Sequence, residues 1–405
     1  MRLPRPRATR AAGLLVAAAL TFPSDAAASG AAPGAGSWPV PSNAWVTITG
    51  HGYGHGHGMS QYGAAGAARQ GRTFRQIADF YYPGTTWGKI GGRVTVRISA
   101  DTTDDLVVLA RPGLTVRDGA GAPVALPRNG ATRWRVAVTT TGRNQVSFLR
   151  GTWHRWSELA GEGTFAAAGQ PVTLVTPSGN RAYRGRLGAV APTLGSRARD
   201  TVNTLPLESY LRGVVPLEMP ALWSAEAVRA QAVAARTYAA YERDHSPASR
   251  HYQLCDTTSC QVYGGYAAEH PASDDAVAAT RRLGLLSGGR PAFTQFASSS
   301  GGWTSAGSVP YLAAVQDQYD GWSGNPFHDW SLRVTDTAIE RTWPRIGNLT
   351  RLAVTARDGN GEWGGRVRSV TVTGDEGVVV VTGDGFRSGL GLRSTWLTFQ
   401  VARRS

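Results

Sequence analysis

The run Leu207–Ala239 places one carboxylate, Glu218, among Val214, Val215, Pro216, Leu217, Met219 and Pro220. Apolar company strips water from a carboxyl and raises its pKa, because the charged form loses hydration. A carboxyl raised in this way can donate a proton near neutral pH. Taken alone, a capping or surface glutamate is the plainer reading of this residue.

Three further groups of residues could carry chemistry. The loop Gly50–Gly63 holds His51, His55 and His57 between glycines. On a strand, alternate residues face one side, so His55 and His57 could chelate a metal. The glycines favor a loop instead, in which these histidines line a cleft or serve the structure. Ser298, Ser299, Ser300, Gly301 and Gly302 offer hydroxyls and backbone donors, either for sugar hydroxyls or as a polar turn. A nucleophilic serine is disfavored, because no Gly-x-Ser-x-Gly elbow surrounds these residues. Cys255 and Cys260 lie close in sequence, and a local disulfide is the default pairing in an exported protein. With His251 they also form a three-ligand set suited to zinc with an open position. Asp256 and Gln261 are placed to orient this loop.

These residues need elements to hold them. A strand is expected at Trp45–Thr49, then the histidine loop, then one helix over about 64–82 ended by Pro83-Gly84. Residues 93–200 read as strands at Val94–Ile98, Leu106–Leu109, Trp134–Val138, Gln145–Leu149, Val172–Val175 and Tyr183–Leu187. Ser224 is positioned to cap a helix over 225–243, with Glu226 in its first turn. Arg236 sits among alanines and valines of that helix. It either snorkels outward or is buried with a partner, and the interruptions at Gln231, Arg236 and Thr237 favor a partner. Strands return at Arg351–Thr355, Val367–Val372, Val378–Thr382 and Trp396–Val401.

The chain has 405 residues, 41% hydrophobic and 17% charged, a composition of folded rather than disordered proteins. Arg2, Arg5, Arg7 and Arg10, an apolar run over 11–22 and Ala26-Ala27-Ala28 read as a secretory signal cleaved near Ala28. Retention of that run as a membrane anchor is the alternative. Residues 29–42 read as a Gly/Ala/Pro/Ser linker. The net charge of +14 rests on arginine, Lys89 being the only lysine. Such a protein would accumulate near anionic wall polymers. The cations are scattered and no nucleic-acid motif appears, so nucleic acid is not an expected partner.

Taken together, Leu207–Ala239, Cys255–Tyr263, Phe296–Thr304 with Pro310-Tyr311-Leu312, and the loop ending in Met59-Ser60-Gln61-Tyr62-Gly63 resemble the stage II sporulation protein D family, also called amidase enhancers. That family includes peptidoglycan lytic transglycosylases. The resemblance implies that Glu218 is the catalytic acid. It would protonate the bridging oxygen of a MurNAc–GlcNAc β-1,4 bond, then take the proton of the C6 hydroxyl as a 1,6-anhydro ring closes. It also implies that Arg236 and Tyr311 line the cleft with Ser298, Ser299, Ser300, Gly301, His55, Ser60 and Gln61. An arginine touching Glu218 would lower its pKa, so Arg236 is assigned to the lactyl carboxylate of the sugar or to scaffold support. Some members bind zinc through residues placed like His251, Cys255 and Cys260; the acid chemistry itself requires no cofactor. In many relatives the histidine loop follows the catalytic segment, whereas here it precedes it, which reads as a circular permutation.

The expectation is therefore an α+β protein with a strand-rich body and a helix-bearing catalytic region. Its parts are a signal peptide at 1–28, a linker at 29–42, the loop and helix at 43–90, a strand-rich region at 91–200, a catalytic region at 201–330 and a C-terminal strand region at 331–405. The expected partners are peptidoglycan glycan strands and a cell-wall amidase. The rival readings are a glycan-binding enhancer of that amidase and a metal-dependent hydrolase.

Overall fold

The computed structural model describes residues 35–404, so the expected signal peptide at 1–28 lies outside the described residues. The protein mixes α and β structure and is rich in strands. Its apolar residues gather into two cores. The larger runs from Met59 to Tyr319. The smaller joins Val40, Ala44, Val46 and Ile48 to Trp330 and to residues between Ile339 and Phe399.

Chain connectivity therefore departs from the expected boundaries. Strand Ala44–His51 pairs antiparallel with Asp329–Thr335 on one side and Leu397–Arg403 on the other. Its burial alternates strictly, as a half-buried strand requires. The first part of the 43–90 region thus belongs with the C-terminal strands, while its helices pack into the larger core. The expected linker also changes: Gly36–Pro39 is a strand paired with Leu349–Arg357.

The helix expected over 64–82 is two helices, α1 (Gln61–Arg69) and α2 (Phe74–Tyr81). Thr73 and Gln76 form a reciprocal capping box that starts a new helix where an unbroken one was expected. The strand expected at Tyr183–Leu187 is likewise two, Gly179–Tyr183 and Arg186–Val190. Gly185 turns between them at φ +83, and a Cβ there would stand 2.4 Å from the Thr204 carbonyl oxygen. The strands expected elsewhere in 93–200 and 350–401 are present, with ends shifted by one or two residues.

The strand-rich region forms two sheets. A six-stranded sheet is built from strands between Leu106 and Tyr183, and a seven-stranded sheet from strands between Arg93 and Cys255. The second sheet delivers Asp200–Pro206 directly into α3 (Leu207–Arg212), α4 (Val215–Glu218) and then α5 (Ala225–His245). Helix α5 is buried along most of its length and packs against α1, α2 and α3. Ser224 stands at its N-terminus, but its hydroxyl makes no capping bond. Among the described residues no helix is long and apolar enough to cross a membrane.

Candidate functional site

Glu218 is the last residue of the single turn α4, with Pro216 in that turn and extended backbone at Met219. Val214, Val215 and Met219 are fully buried and anchor the turn, while Leu217 is exposed. The carboxyl is thereby held at the edge of the core. Its Oε1 accepts the Val262 N–H at 2.9 Å. Burial raises the Glu218 pKa above the ordinary carboxyl range, and the Val262 hydrogen bond only partly opposes it. No arginine figures among the causes of that shift.

The segment carrying Val262 is fixed from several sides. The Tyr210 hydroxyl donates to Gln261 Oε1 at 3.2 Å, and Gln261 Nε2 donates to the Ala235 carbonyl at 3.3 Å. The Gly264 N–H donates to the Gly213 carbonyl. Cys255 and Cys260 form a disulfide that closes the loop just before it. Both sulfurs are therefore committed to each other, and His251 Nε2 lies 2.6 Å from Asp200 Oδ2. These donors do not fit a zinc site in this state, because a ligating sulfur must be a free thiolate. Among the described residues no group of three or more His, Cys, Asp or Glu side chains is arranged to hold a metal ion.

Glu218 opens into a cavity of about 260 Å³. His55 and Gln61 reach it from the histidine loop, Tyr238 from α5, Thr258 and Ser259 from the disulfide loop, and Gln295 and Ser298 from the 295–298 segment. The histidine loop, distant in sequence, thus meets Glu218 in space. The loop docks through strand Met59–Ser60, which pairs parallel with Phe296–Ala297. Gly58 permits that approach at φ +67, since a Cβ would lie 2.1 Å from the Gln295 carbonyl oxygen. The C-terminal tail supports the loop from behind: the Ser394 hydroxyl donates to the His51 carbonyl, and the Gly54 N–H to the Arg393 carbonyl.

The lining is polar and largely uncharged. Burial lowers the His55 pKa to about 3, with His57 and Arg366 adding to the shift. The imidazole is neutral at neutral pH, and its Nδ1 accepts the His57 N–H at 2.9 Å. Burial likewise raises the Tyr238 hydroxyl well above its usual value, so it too stays neutral. Glu218 is the only carboxylate among the described residues that line the cavity.

Several residues assigned to the cleft by the sequence do structural work instead. Arg236 is fully buried and bonded to Glu208, through Nε to Oε1 at 3.0 Å and through Nη2 to Oε2 at 2.9 Å. Its Nη1 also donates to the Leu283 carbonyl. Arg236 thus lies within the packing of α5 and does not line the cavity. Tyr311 lies outside the cavity, and its hydroxyl accepts the Phe293 N–H at 2.7 Å. Ser60, Ser299, Ser300 and Gly301 converge on the buried carboxylate of Asp320. Ser300 also donates to Asp317, as does the Tyr81 hydroxyl. Of the serine turn only Ser298 faces the cavity.

Asp317 and Asp320 organise this corner, and the sequence reading missed both. Burial, then the neighboring Asp320, raises the Asp317 pKa to about 6. Burial also disfavors the Asp320 anion, but hydrogen bonds from His328, Ser60 and Ser299 outweigh it and hold that pKa low. His328 is raised in turn, chiefly by its hydrogen bond to Asp320. Tyr238 and Gln295 were also missed. Tyr238 lies two residues after Arg236 on α5, and Gln295 just before the quoted Phe296–Thr304 stretch, so closer attention to those segments could have reached them.

A family model for the stage II sporulation protein SpoIID matches residues 196–286, the segment that carries Glu218 and both cysteines. The chain is 41% identical over 122 residues to the amidase enhancer of Bacillus subtilis (strain 168), covering 28% of this chain and 16% of that protein. It is 34% identical over 145 residues to stage II sporulation protein D of the same organism, covering 30% of this chain and 42% of that protein. An uncharacterized protein of Brachyspira hyodysenteriae is 29% identical over 231 residues, covering 50% of this chain and 62% of that protein. The chain thus spans less than two thirds of each of these relatives. It carries a domain of the stage II sporulation protein D and amidase-enhancer family.

Proposed function

We propose that this protein is exported to the cell wall and cleaves peptidoglycan glycan strands as a lytic transglycosylase, with Glu218 as the single acid and base. The observation that carries this reading is a lone, desolvated carboxyl opening into a polar, uncharged cavity. Hydrolytic glycosidases use two carboxylates, one to donate a proton and one to attack or to activate water. An intramolecular hydroxyl replaces that water and is already in place, so one group can serve both halves of the reaction.

In this reading the neutral Glu218 carboxyl gives its proton to the bridging oxygen as the bond to C1 breaks. The C6 hydroxyl oxygen of the same MurNAc then bonds to C1, and its proton passes to the Glu218 carboxylate. The products are a 1,6-anhydro end and a free GlcNAc hydroxyl, and the carboxyl returns to its starting state. The neutral His55, Tyr238, Gln61, Gln295 and Ser298 would hold the sugar through hydrogen bonds. No step needs a metal. The order of segments is read as a circular permutation; the tail packed against strand Ala44–His51 supports that reading.

The test is digestion of purified wall by the pure protein, with products read by mass spectrometry. Anhydro ends from the parent and none from Glu218→Gln are expected; undiminished anhydro product from the variant would overturn the assignment. A second reading is favored by one relative, whose name is amidase enhancer. Under it the protein binds glycan and stimulates a separate amidase, and the pure protein releases no anhydro ends while the amidase runs faster in its presence.

A further inference from the structure

The cavity at Glu218 is smaller than the roughly 300–1,000 Å³ of ordinary small-ligand sites. A polymer engaged there must continue across the surface. Beside the cavity runs a row of aromatic side chains. Trp223 follows Glu218 by one short turn, and its ring meets Tyr62 at 4.8 Å between centroids. Tyr62 meets Phe327 at 5.5 Å, and Phe327 meets Tyr53 at 5.1 Å. All three contacts are edge-to-face. Tyr53 is 41% exposed, and the other three are partly so.

The row is mounted on the cavity wall. Tyr62 follows the cavity residue Gln61, and its N–H donates to the carbonyl of the cavity residue Ser298 at 3.0 Å. Tyr53 exchanges backbone hydrogen bonds with Ser299. Arg393 lies over Phe327 at 5.0 Å, adding a cation to the far end. Two large apolar side chains near the start of the row are also exposed, Leu217 at 46% and Leu222 at 82%.

We propose that Trp223, Tyr62, Phe327 and Tyr53 form a stacking track for the glycan strand, carrying successive sugars away from the bond held at Glu218. The proposal rests on the lytic transglycosylase reading. Pyranose rings present flat C–H faces that pack on aromatic rings, and the spacing of this row is comparable with the length of one sugar. The cation at Arg393 suits the carboxylates that peptidoglycan carries along its length. Continuity with the cavity through Gln61 and Ser298 favors the strand over a protein partner.

The experiment uses the full chain carrying Glu218→Gln, which can bind without cutting. Binding of long purified glycan strands and of the MurNAc–GlcNAc disaccharide is measured before and after adding Tyr53→Ser or Trp223→Ala. Strand affinity is expected to fall by about tenfold for each, with disaccharide affinity unchanged. Tyr53→Phe should restore strand binding. Tyr53 is the most exposed member, so its variant keeps the test usable if Trp223→Ala misfolds. Unchanged strand affinity in both variants overturns the track, as does an equal loss for strand and disaccharide. Intact strand binding with lost amidase stimulation also overturns it, in favor of a protein-docking surface. If the parent forms anhydro ends while Tyr53→Ser and Trp223→Ala, each made with Glu218 retained, keep parental KM on long strands, the track fails and the enzyme reading survives. If the parent forms none and binds no strand, both fail.

Discussion

Glu208 holds both forks of the Arg236 guanidinium, at 3.0 and 2.9 Å, inside the packing of α5. Arg236 has no exposed surface and Glu208 only a quarter. The pair ties α3 to α5 and, through the Leu283 and Val277 carbonyls, to the next strand and helix. It leaves Glu218 without a cation, which keeps that carboxyl neutral more easily.

Removing one member of such a pair strands the other. Arg236→Met is expected to cost about 3–5 kcal/mol, because the Glu208 carboxylate loses its main partner. Lysine cannot make the double fork, so Arg236→Lys should recover only part of it. Urea unfolding of the three proteins measures this. Activity per folded molecule should hardly change, and a large selective loss in kcat would return Arg236 to the cleft.

Glu218→Gln should cut turnover by at least about 100-fold, as expected for loss of a general acid. Its effect on stability runs the other way. The folded-state pKa of Glu218 lies above its unfolded value, so the folded protein is penalised once the carboxyl ionises. The variant should therefore be more stable than the parent at about pH 7, with the difference closing below about pH 4, where the unfolded carboxyl is also protonated. Thermal unfolding at both pH values checks the sign. For the parent, kcat/KM should decline as pH rises through the raised Glu218 pKa.

Opening the Cys255–Cys260 bond frees a very short loop, and the chain-entropy relation gives a loss of about 2 kcal/mol. The same loop precedes the Val262 N–H that holds Glu218. Replacing both cysteines by serine should thus lower the melting temperature and slow turnover together. Reducing the parent's disulfide should do the same, and zinc added to the reduced parent should rescue neither; rescue there would reinstate the ligand set of His251 and the two cysteines.

His328 and Asp320 give the corner behind Ser298 its own pH window. The raised His328 contributes stability that is full below its unfolded pKa near 6.5 and fades as pH rises through the folded value. The depressed Asp320 contributes above its unfolded pKa and fades as pH falls through the folded value. His328→Gln should therefore cost about 1 kcal/mol near pH 5.5 and less near pH 8.5. Equal costs at both values would assign the contribution to packing rather than charge.

Much of the candidate site could be read from local sequence. Val214, Val215 and Met219 around Glu218 announce a desolvated carboxyl, because neighbors in a single helical turn bury together. The alternating pattern of Ala44–His51 announces a half-buried strand, and the spacing of Cys255 and Cys260 a local disulfide. Thr73 and Gln76 also announced a second helix start, as did the polar stretch Arg69-Gln70-Gly71-Arg72 before them. Side-chain direction was beyond that reach. Arg236, Tyr311 and Ser300 lie in the right segments, yet Arg236 and Ser300 turn into the core toward Glu208 and Asp317, and the Tyr311 hydroxyl is held by the Phe293 N–H outside the cavity.

By itself, the sequence determined a folded chain, the desolvation of Glu218 and most of the strands, since each depends on residues adjacent along the backbone. Only the tertiary structure decided which distant residues meet that carboxyl. Strand Met59–Ser60 pairs with Phe296–Ala297 and swings His55 and Gln61 into the cavity. The reason is physical: burial and hydrogen bonding choose partners across hundreds of residues, and a partner's position is fixed by packing that no local pattern encodes.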